Sequence, residues 1–185
     1  MPDICLITGG GRSGKSEYAE KLAAGIGRVL YIATGPACDD EMKERIARHQ
    51  EARPKDWQTW EKQFGFEDLE KEFDTEEFGA ILLDCVGNML MGILYETLPD
   101  LEDFSTEDFD KLELEAIEEI DVLCDYAVKY KKRLIIVTNE IGMGLIPETR
   151  FSRYFRDALG RVNKHAAARS DYVVLMVAGI PLKLK

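Results

Sequence analysis

Near the start of the chain, the short apolar segment Ile4–Thr8 runs directly into the glycine-rich sequence Gly9–Ser16, which reads GGGRSGKS. Residues 14–26 then place apolar side chains four residues apart, as on one face of a helix. Glycines at such a turn let backbone N–H groups point inward without side chains in the way, and the following helix offers further N–H groups to an anion. This strand, turn and helix therefore predict a phosphate-binding βα unit.

The rest of the chain repeats the alternation of strand and helix. Further apolar segments predict strands at Val29–Thr34, Ala80–Asp84, Leu134–Thr138 and Tyr172–Ala178. Helical patterns lie at Asp39–Ala52, 106–131 and Phe151–Ala168. Two further segments are acidic: Phe64–Phe78 is ambiguous, and Asp100–Asp110 is interpreted as a surface loop. The strands are apolar throughout, as expected when both faces of a parallel sheet are covered. We predict one α/β domain over residues 1–185, with a mostly parallel sheet flanked by helices.

Composition narrows the classes of ligand. A chain with a net charge of −11 would be repelled by the negatively charged phosphates of a nucleic acid, so nucleic acid is not expected as a partner. The chain shows no apolar run of about 20 residues and no signal-peptide pattern at its start, so we expect a cytoplasmic protein without membrane insertion. Its four cysteines stand singly and its two histidines lack zinc-site spacing, which predicts reduced thiols and no zinc site.

The glycine-rich segment also fits the Walker A pattern, because Gly9 is followed after four residues by Gly14, Lys15 and Ser16. In this pattern the lysine places a positive charge at the β and γ phosphates, and the serine hydroxyl ligates Mg²⁺. Asp84, at the end of the apolar strand Ala80–Asp84, is the candidate for the Walker B carboxylate, which would hold the metal through water or directly. The alternatives are a glycine-rich turn without a ligand and an aspartate that serves a turn or caps the next helix.

If the ligand is a nucleoside triphosphate with Mg²⁺, two classes of protein remain: a transferase and a nucleotide-dependent switch. A GTPase switch normally carries an N-K-x-D motif that reads the base. Here the pair Asn163-Lys164 is followed by His165-Ala166, without an aspartate, and no well-placed D-x-x-G segment is present. The pattern therefore favours a transferase.

His49 lies seven residues after Met42 and three after Ile46, so it shares the apolar face of the predicted helix Asp39–Ala52. On such a face a histidine held in the core by hydrogen bonds is the more frequent case. The alternative is a nucleophile, because neutral imidazole can attack phosphorus, and the arginines nearby would stabilise the phosphoryl oxygens. Spacing alone leaves both readings open and favours the first.

Several longer segments resemble the bifunctional adenosylcobinamide kinase / adenosylcobinamide-phosphate guanylyltransferase family. The likeness covers nearly the whole chain in order, and the segments that carry it are Thr8–Ser16, Leu30–Thr34, Asp39–Met42, Arg45–Pro54, Val137–Gly144, Pro147-Glu148, Phe155–Asp157 and Gly160–Asn163. The resemblance implies a RecA-like P-loop NTPase fold and a homotrimer. It also implies a role in cobalamin biosynthesis. The family phosphorylates adenosylcobinamide with ATP or GTP and then transfers GMP from GTP to the resulting phosphate, with release of pyrophosphate.

The resemblance also implies roles for single residues. The guanylylated histidine of the family matches His49, which would make it catalytic together with Lys15. The positions that match the family's nucleotide contacts are Gly9, Gly10, Gly11, Arg12, Ser13, Gly14, Lys15, Ser16, Ala33, Thr34, Gly35, Gln50, Glu51, Ala52, Arg53, Glu61 and Asp84. Ser16 and Asp84 would hold Mg²⁺.

Three questions stay open at the level of sequence. Thr138, Asn139 and Glu140 follow a predicted strand at the edge where open α/β sheets bind ligands, or they only cap the next element. A small-molecule kinase without nucleotidyl transfer would use the same phosphate loop and leave His49 structural. A regulatory NTP-binding module would bind nucleotide without cobinamide-dependent turnover.

Overall fold

The computed structural model describes residues 3–35, 54–98, 101 and 103–185. Within them lie seven strands: β1 Ile4–Gly9, β2 Val29–Ala33, β3 Gln58–Glu61, β4 Ala80–Asp84, β5 Arg133–Val137, β6 Tyr172–Val177 and β7 Ile180–Lys183. The helices are α1 Lys15–Ala24, α2 Leu69–Glu72, α3 Val86–Thr97, α4 Thr106–Lys129 and α5 Arg150–Arg169, with short 3-10 turns at Phe66–Asp68 and Thr75–Glu77. The predicted helix Asp39–Ala52 lies outside the described residues.

The strands form one sheet in the order β3-β2-β4-β5-β1-β6-β7. Every neighbouring pair is parallel except β6 and β7, which form an antiparallel hairpin. The register pairs Ala33 with Glu61 and with Asp84, and Asp84 with Val137, so these strands end at the same edge. The predicted α/β class, a P-loop fold with a mostly parallel sheet flanked by helices, is confirmed.

Both faces of the sheet are covered, which explains why its central strands are apolar throughout. On one face Leu6, Leu83 and Ile136 belong to a core that α3, α4 and α5 share. On the other face Ile7, Leu82 and Val137 belong to a second core, which contains Ala19 and Ala23 of α1. The sheet therefore separates α1 from the three long helices, and the loops at the strand ends connect the two sides.

The two acidic segments gain structure through specific hydrogen bonds. In Phe64–Phe78, the buried Glu119 side chain accepts hydrogen bonds from Gly65 N at 2.6 Å and Phe66 N at 2.9 Å. Burial raises the pKa of this carboxyl, and the two N–H groups oppose the rise. Within Asp100–Asp110, Ser105 and Asp108 form a capping box that starts α4 at Thr106, so the last part of this segment is helix rather than loop.

Four elements were not predicted: β3, α3, β7 and the short helix α2 within the ambiguous segment Phe64–Phe78. The cysteines Cys5, Cys85 and Cys124 are buried free thiols. Among the described residues, no helix combines the length and the apolar character that crossing a membrane requires.

Candidate active site

The phosphate loop joins the end of β1 to the start of α1, and two of its glycines are required, one by space and one by backbone conformation. Gly9 has φ 153°, and a Cβ at this position would lie 2.5 Å from the Met176 backbone oxygen. Gly14, the N-cap of α1, is left-handed with φ 91°, and a Cβ there would lie 3.4 Å from Gly179 Cα. The loop can therefore keep this path only with glycine at both positions, because a side chain at Gly9 would need the backbone of β6 or the loop to move, and one at Gly14 would be strained by the left-handed backbone.

Inside the loop, two polar side chains are buried. Lys15 is 7% exposed, and its Nζ donates a hydrogen bond of 2.7 Å to Gly10 O. Ser13 Oγ is buried and has no hydrogen-bond partner within the described part of the chain. A buried hydroxyl without a partner is costly, and an anion in the loop would give it one. The fixed ammonium, the Ser13 hydroxyl and the first-turn N–H groups of α1 together suit a phosphate.

Asp84 ends β4 on the same side of the sheet as α1. Tyr31, on β2, donates a hydrogen bond of 2.8 Å from its hydroxyl to Asp84 Oδ2, which fixes the half-buried carboxylate. Leu82, two residues earlier, packs in the core that contains α1, and alternate residues of a strand share a face. The alternative that Asp84 caps the next helix is wrong, because the N-cap of α3 is Cys85.

Next to Asp84, Thr34 joins the ends of β2 and β4. Its hydroxyl donates to Cys85 O and accepts from Cys85 N, each at 2.7 Å, and its backbone N donates to Asp84 O at 3.1 Å. Thr34 is fully buried, and its hydroxyl is occupied by Cys85, so this side chain holds the two strand ends together. Burial, followed by the charge of Asp84, raises the pKa of Cys85 to about 11, which keeps this thiol neutral at physiological pH.

The other two predicted contacts at this edge lie further from the loop. Gly35 follows Thr34, and a Cβ there would lie 3.1 Å from Asn88 Nδ2, so α3 approaches the backbone closely at this point. Glu61 ends β3 as an exposed residue and pairs with Ala33. Because β3 and β4 lie on either side of β2, Glu61 stands roughly 10 Å from Asp84 along the sheet edge.

The segment Thr138–Glu140 lies directly beside the phosphate loop. Thr138 N donates to Ile7 O, and Glu140 N donates to Gly9 O, both at 2.9 Å. Asn163, on α5, holds the same segment from the other side, since its Oδ1 accepts from the Thr138 hydroxyl at 2.6 Å and its Nδ2 donates to Asn139 O at 3.0 Å. The predicted ligand edge thus includes this strand end, and Asn163 is the positioning residue that reasoning from the pattern of residues missed.

The structure brings together the phosphate loop, Asp84, Ala33–Gly35 and Thr138–Glu140 at one edge of the sheet. Five predicted site residues lie outside the described residues, namely His49, Gln50, Glu51, Ala52 and Arg53. Their roles stay predictions. Among the described residues, no group of three or more histidine, cysteine, aspartate or glutamate side chains is arranged to hold a metal ion.

Comparison with known proteins decides the family. The model of the family described as cobinamide kinase / cobinamide phosphate guanyltransferase matches residues 5–184. The chain belongs to this family. The resemblance inferred from the sequence segments is thereby confirmed.

Named relatives match over the same length. The chain is 40% identical to the bifunctional adenosylcobalamin biosynthesis protein CobU of Escherichia coli over 182 residues, which cover 98% of this chain and 99% of that protein. It is 41% identical to CobU of Salmonella typhimurium with the same coverage. It is 36% identical to the bifunctional protein CobP of Pseudomonas aeruginosa over 181 residues, with 97% of this chain and 96% of that protein covered.

Proposed function

We propose that the protein phosphorylates adenosylcobinamide with ATP or GTP and then transfers GMP from GTP to adenosylcobinamide phosphate. The products of the second reaction are adenosylcobinamide-GDP and pyrophosphate, and the intermediate is a guanylyl group on His49. One observation carries the proposal: the phosphate loop, in which Gly10 O holds Lys15 Nζ, lies at the same edge of the sheet as Asp84, in a chain that belongs to this family. One nucleotide-binding transferase domain over residues 1–185 would perform both reactions.

The triphosphate would lie in the phosphate loop, Gly9–Ser16. Lys15 would neutralise phosphate oxygens, and the Ser13 hydroxyl would gain a partner there. The remaining nucleotide contacts that we propose are Arg12, Ala33, Thr34, Gly35, Gln50, Glu51, Ala52, Arg53 and Glu61. Ala33–Gly35 and Glu61 support this by their position at the carboxyl edge of the sheet, where open α/β folds bind ligands.

The residues present fit a magnesium ion. Mg²⁺ prefers oxygen ligands and keeps several waters, so one or two protein oxygens together with phosphates suffice. Ser16, in the first turn of α1, and Asp84, whose Oδ2 is oriented by Tyr31, are an oxygen pair of this kind. When bound, Mg²⁺ would supply positive charge to the phosphate oxygens of the nucleotide.

In the kinase reaction, the hydroxyl oxygen of adenosylcobinamide forms a bond to the γ phosphorus while the bond from that phosphorus to the β–γ bridging oxygen breaks. The hydroxyl proton passes to water, and the nucleoside diphosphate leaves with the bridging oxygen. The chain contributes position and charge: the backbone of Gly9–Gly14 holds the phosphates in line, and Lys15 stabilises their oxygens.

In the guanylyl transfer, an imidazole nitrogen of His49 attacks the α phosphorus, and pyrophosphate leaves with the bridging oxygen. A phosphate oxygen of adenosylcobinamide phosphate then attacks the same phosphorus, and the bond between nitrogen and phosphorus breaks. Each step exchanges one bond at phosphorus for another, so no oxidant or reductant is needed.

Incubation with Mg²⁺ and GTP labelled on the α phosphate tests the intermediate. After denaturation, we expect label on the chain that is labile to acid and stable to base, and none from GTP labelled on the γ phosphate. His49→Ala should abolish the label while GTP still binds. An unlabelled wild-type chain with bound, intact GTP would contradict the histidine intermediate and leave a simple kinase or a binding module, which cobinamide-dependent release of nucleoside diphosphate would tell apart.

We also propose a homo-oligomer, a trimer by family resemblance, in the cytoplasm. The β6–β7 hairpin supports an oligomer, because four apolar side chains near the sheet edge are more than half exposed: Val177, Ile180, Leu182 and Leu184. Light scattering after size-exclusion chromatography measures the mass directly. A monomer at micromolar concentration would contradict this proposal.

A further inference from the structure

The loop after β5 exposes an unusual amount of apolar surface. In the Ile141–Ile146 loop, which reads IGMGLI, the four large side chains are exposed by 41% (Ile141), 78% (Met143), 95% (Leu145) and 74% (Ile146). Residues 141–147 carry no charge, in a chain whose net charge is −11. Contiguous apolar surface of this kind costs free energy in water and marks a contact site.

The base of this loop is fixed to the phosphate loop. Glu140 N donates to Gly9 O at 2.9 Å, and the Glu140 side chain accepts a hydrogen bond from Gly142 N at 2.5 Å. Asn163 anchors Thr138 and Asn139 just before it. The apolar side chains therefore begin within a few residues of the position where the terminal phosphates would lie, and they continue the same edge of the sheet.

The identity of the occupant rests on the proposed function. The kinase reaction requires the acceptor hydroxyl to reach the γ phosphate, and in adenosylcobinamide this hydroxyl ends a short aminopropanol arm on a large corrin ring. The ring must then lie just beyond the phosphate loop, since the arm is short. Its periphery carries methyl groups and uncharged amides, which match an apolar surface without charged side chains. Lysines or arginines, by contrast, would be expected if this loop received a phosphate.

We propose that the Ile141–Ile146 loop is the surface on which the corrin ring of the substrate lies. The loop thus acts in recognition of the acceptor and has no part in holding GTP. Met143 and Leu145 contribute the most exposed apolar area, and burying it against the ring would stabilise the complex.

The double variant Met143→Ala/Leu145→Ala tests this role. Its matched control is Leu114→Ala/Val128→Ala, which removes similar side chains, 59% and 54% exposed, from α4. We expect the KM for adenosylcobinamide to rise about tenfold or more in the loop variant and to stay within about twofold of wild type in the control. Equilibrium dialysis of adenosylcobinamide, followed by corrin absorbance, should show the same loss of affinity. The amount of α-phosphate label that the chain takes from GTP needs no corrinoid and reports an intact nucleotide site.

The outcomes separate the two proposals. A loop variant with wild-type KM and affinity for adenosylcobinamide, in a protein that turns over, overturns the corrin surface and leaves the proposed function standing. The corrin surface is also overturned if the loop variant changes the molecular mass measured by light scattering but not the affinity for adenosylcobinamide. The loop would then contact a second copy of the chain. A wild-type protein that neither binds nor converts the corrinoid overturns both.

Discussion

The two ends of the sheet differ in where their polar groups and strained residues lie. At the amino ends of the strands, Asp3 and Arg133 form an ion pair of 2.6 Å, and Ile4 N donates to the Asp171 carboxylate at 2.9 Å. At the carboxyl ends, Ser13 Oγ is buried without a partner among the described residues, and Arg12 holds a left-handed backbone with φ 56°. The amino ends also hold a buried atom without a partner among the described residues, Gln58 Oε1, and a left-handed residue, Lys131 with φ 53°. What sets the carboxyl edge apart is that both features fall on adjacent residues of one glycine-rich loop, Arg12 and Ser13.

This difference shows where stability and function lie. The paired groups at the amino ends have no need of a ligand, and they join residues at the starts of neighbouring strands. A buried hydroxyl without a partner and a left-handed arginine both cost free energy, and here they stand side by side in a loop whose N–H groups suit an anion that would repay the cost. The carboxyl edge is therefore the part of the molecule that a nucleotide would complete, and the following substitutions test that contrast.

Lys15→Met should have the largest effect. Removing the ammonium leaves the phosphate charge uncompensated, so kcat/KM should fall by about 10²–10³ in both reactions while the fold remains. Steady-state assays of the kinase and guanylyl reactions measure the loss, and thermal unfolding checks the fold. A variant that keeps more than about a tenth of wild-type kcat/KM would remove Lys15 from the catalytic machinery.

Gly9→Ala should cost both stability and nucleotide binding. A Cβ at this position would lie 2.5 Å from Met176 O and 2.8 Å from Ser13 Oγ, so β6 or the phosphate loop must shift. We expect a loss of about 2–4 kcal/mol in the free energy of unfolding, measured by urea denaturation. Gly160→Ala on the exposed side of α5 is the control, because an added Cβ there meets nothing within 4 Å and alanine favours a helix. Equal stabilities for the two variants would contradict the steric reading.

The sequence predicted most of the fold for a specific physical reason. Strands β1, β2, β4, β5 and β6 are apolar runs because helices cover both faces of the sheet, and such runs are conspicuous. The missed strands lack this signal. In β3 only Trp60 is buried, and β7 is exposed throughout and contains Pro181. Helix α3 begins directly after β4 with only Cys85 between them, so the apolar residues of strand and helix form one run in which the two are hard to tell apart.

The candidate site divides in the same way. Local patterns were enough to place the glycine-rich turn between β1 and α1 and Asp84 at the end of β4, since both are visible in a few residues, and the roles of these residues in binding stay predictions. The contacts that position them join distant parts of the chain: Tyr31 and Asp84 are 53 residues apart, and Thr138 and Asn163 are 25 apart. Such pairs depend on which strands are neighbours, and the order of strands in the sheet cannot be read from local spacing.

Asn163→Ala tests the smaller contribution of a positioning residue. The change leaves the Thr138 hydroxyl and the Asn139 carbonyl without their side-chain partner, which should lower the free energy of unfolding by about 1–3 kcal/mol. Since the same segment begins the Ile141–Ile146 loop, the KM for adenosylcobinamide should rise more than the KM for GTP. Urea denaturation and steady-state kinetics provide both numbers. Equal changes in the two KM values would indicate a purely structural role.

Arg133→Met should have the smallest effect, and it tests the amino ends. Asp3 and Arg133 are each about a third exposed, with side-chain exposures of 34% and 35%, so water and salt screen their attraction. We expect a loss of at most about 1 kcal/mol in the free energy of unfolding, reduced further in 1 M salt, because pairs this exposed contribute little. The guanylyl label and the kinase rate should stay at wild-type values, since the pair lies at the opposite end of β5 from Thr138. A large loss of turnover with an intact fold would mean that the amino ends also act on the site, and the division between the two edges would then be wrong.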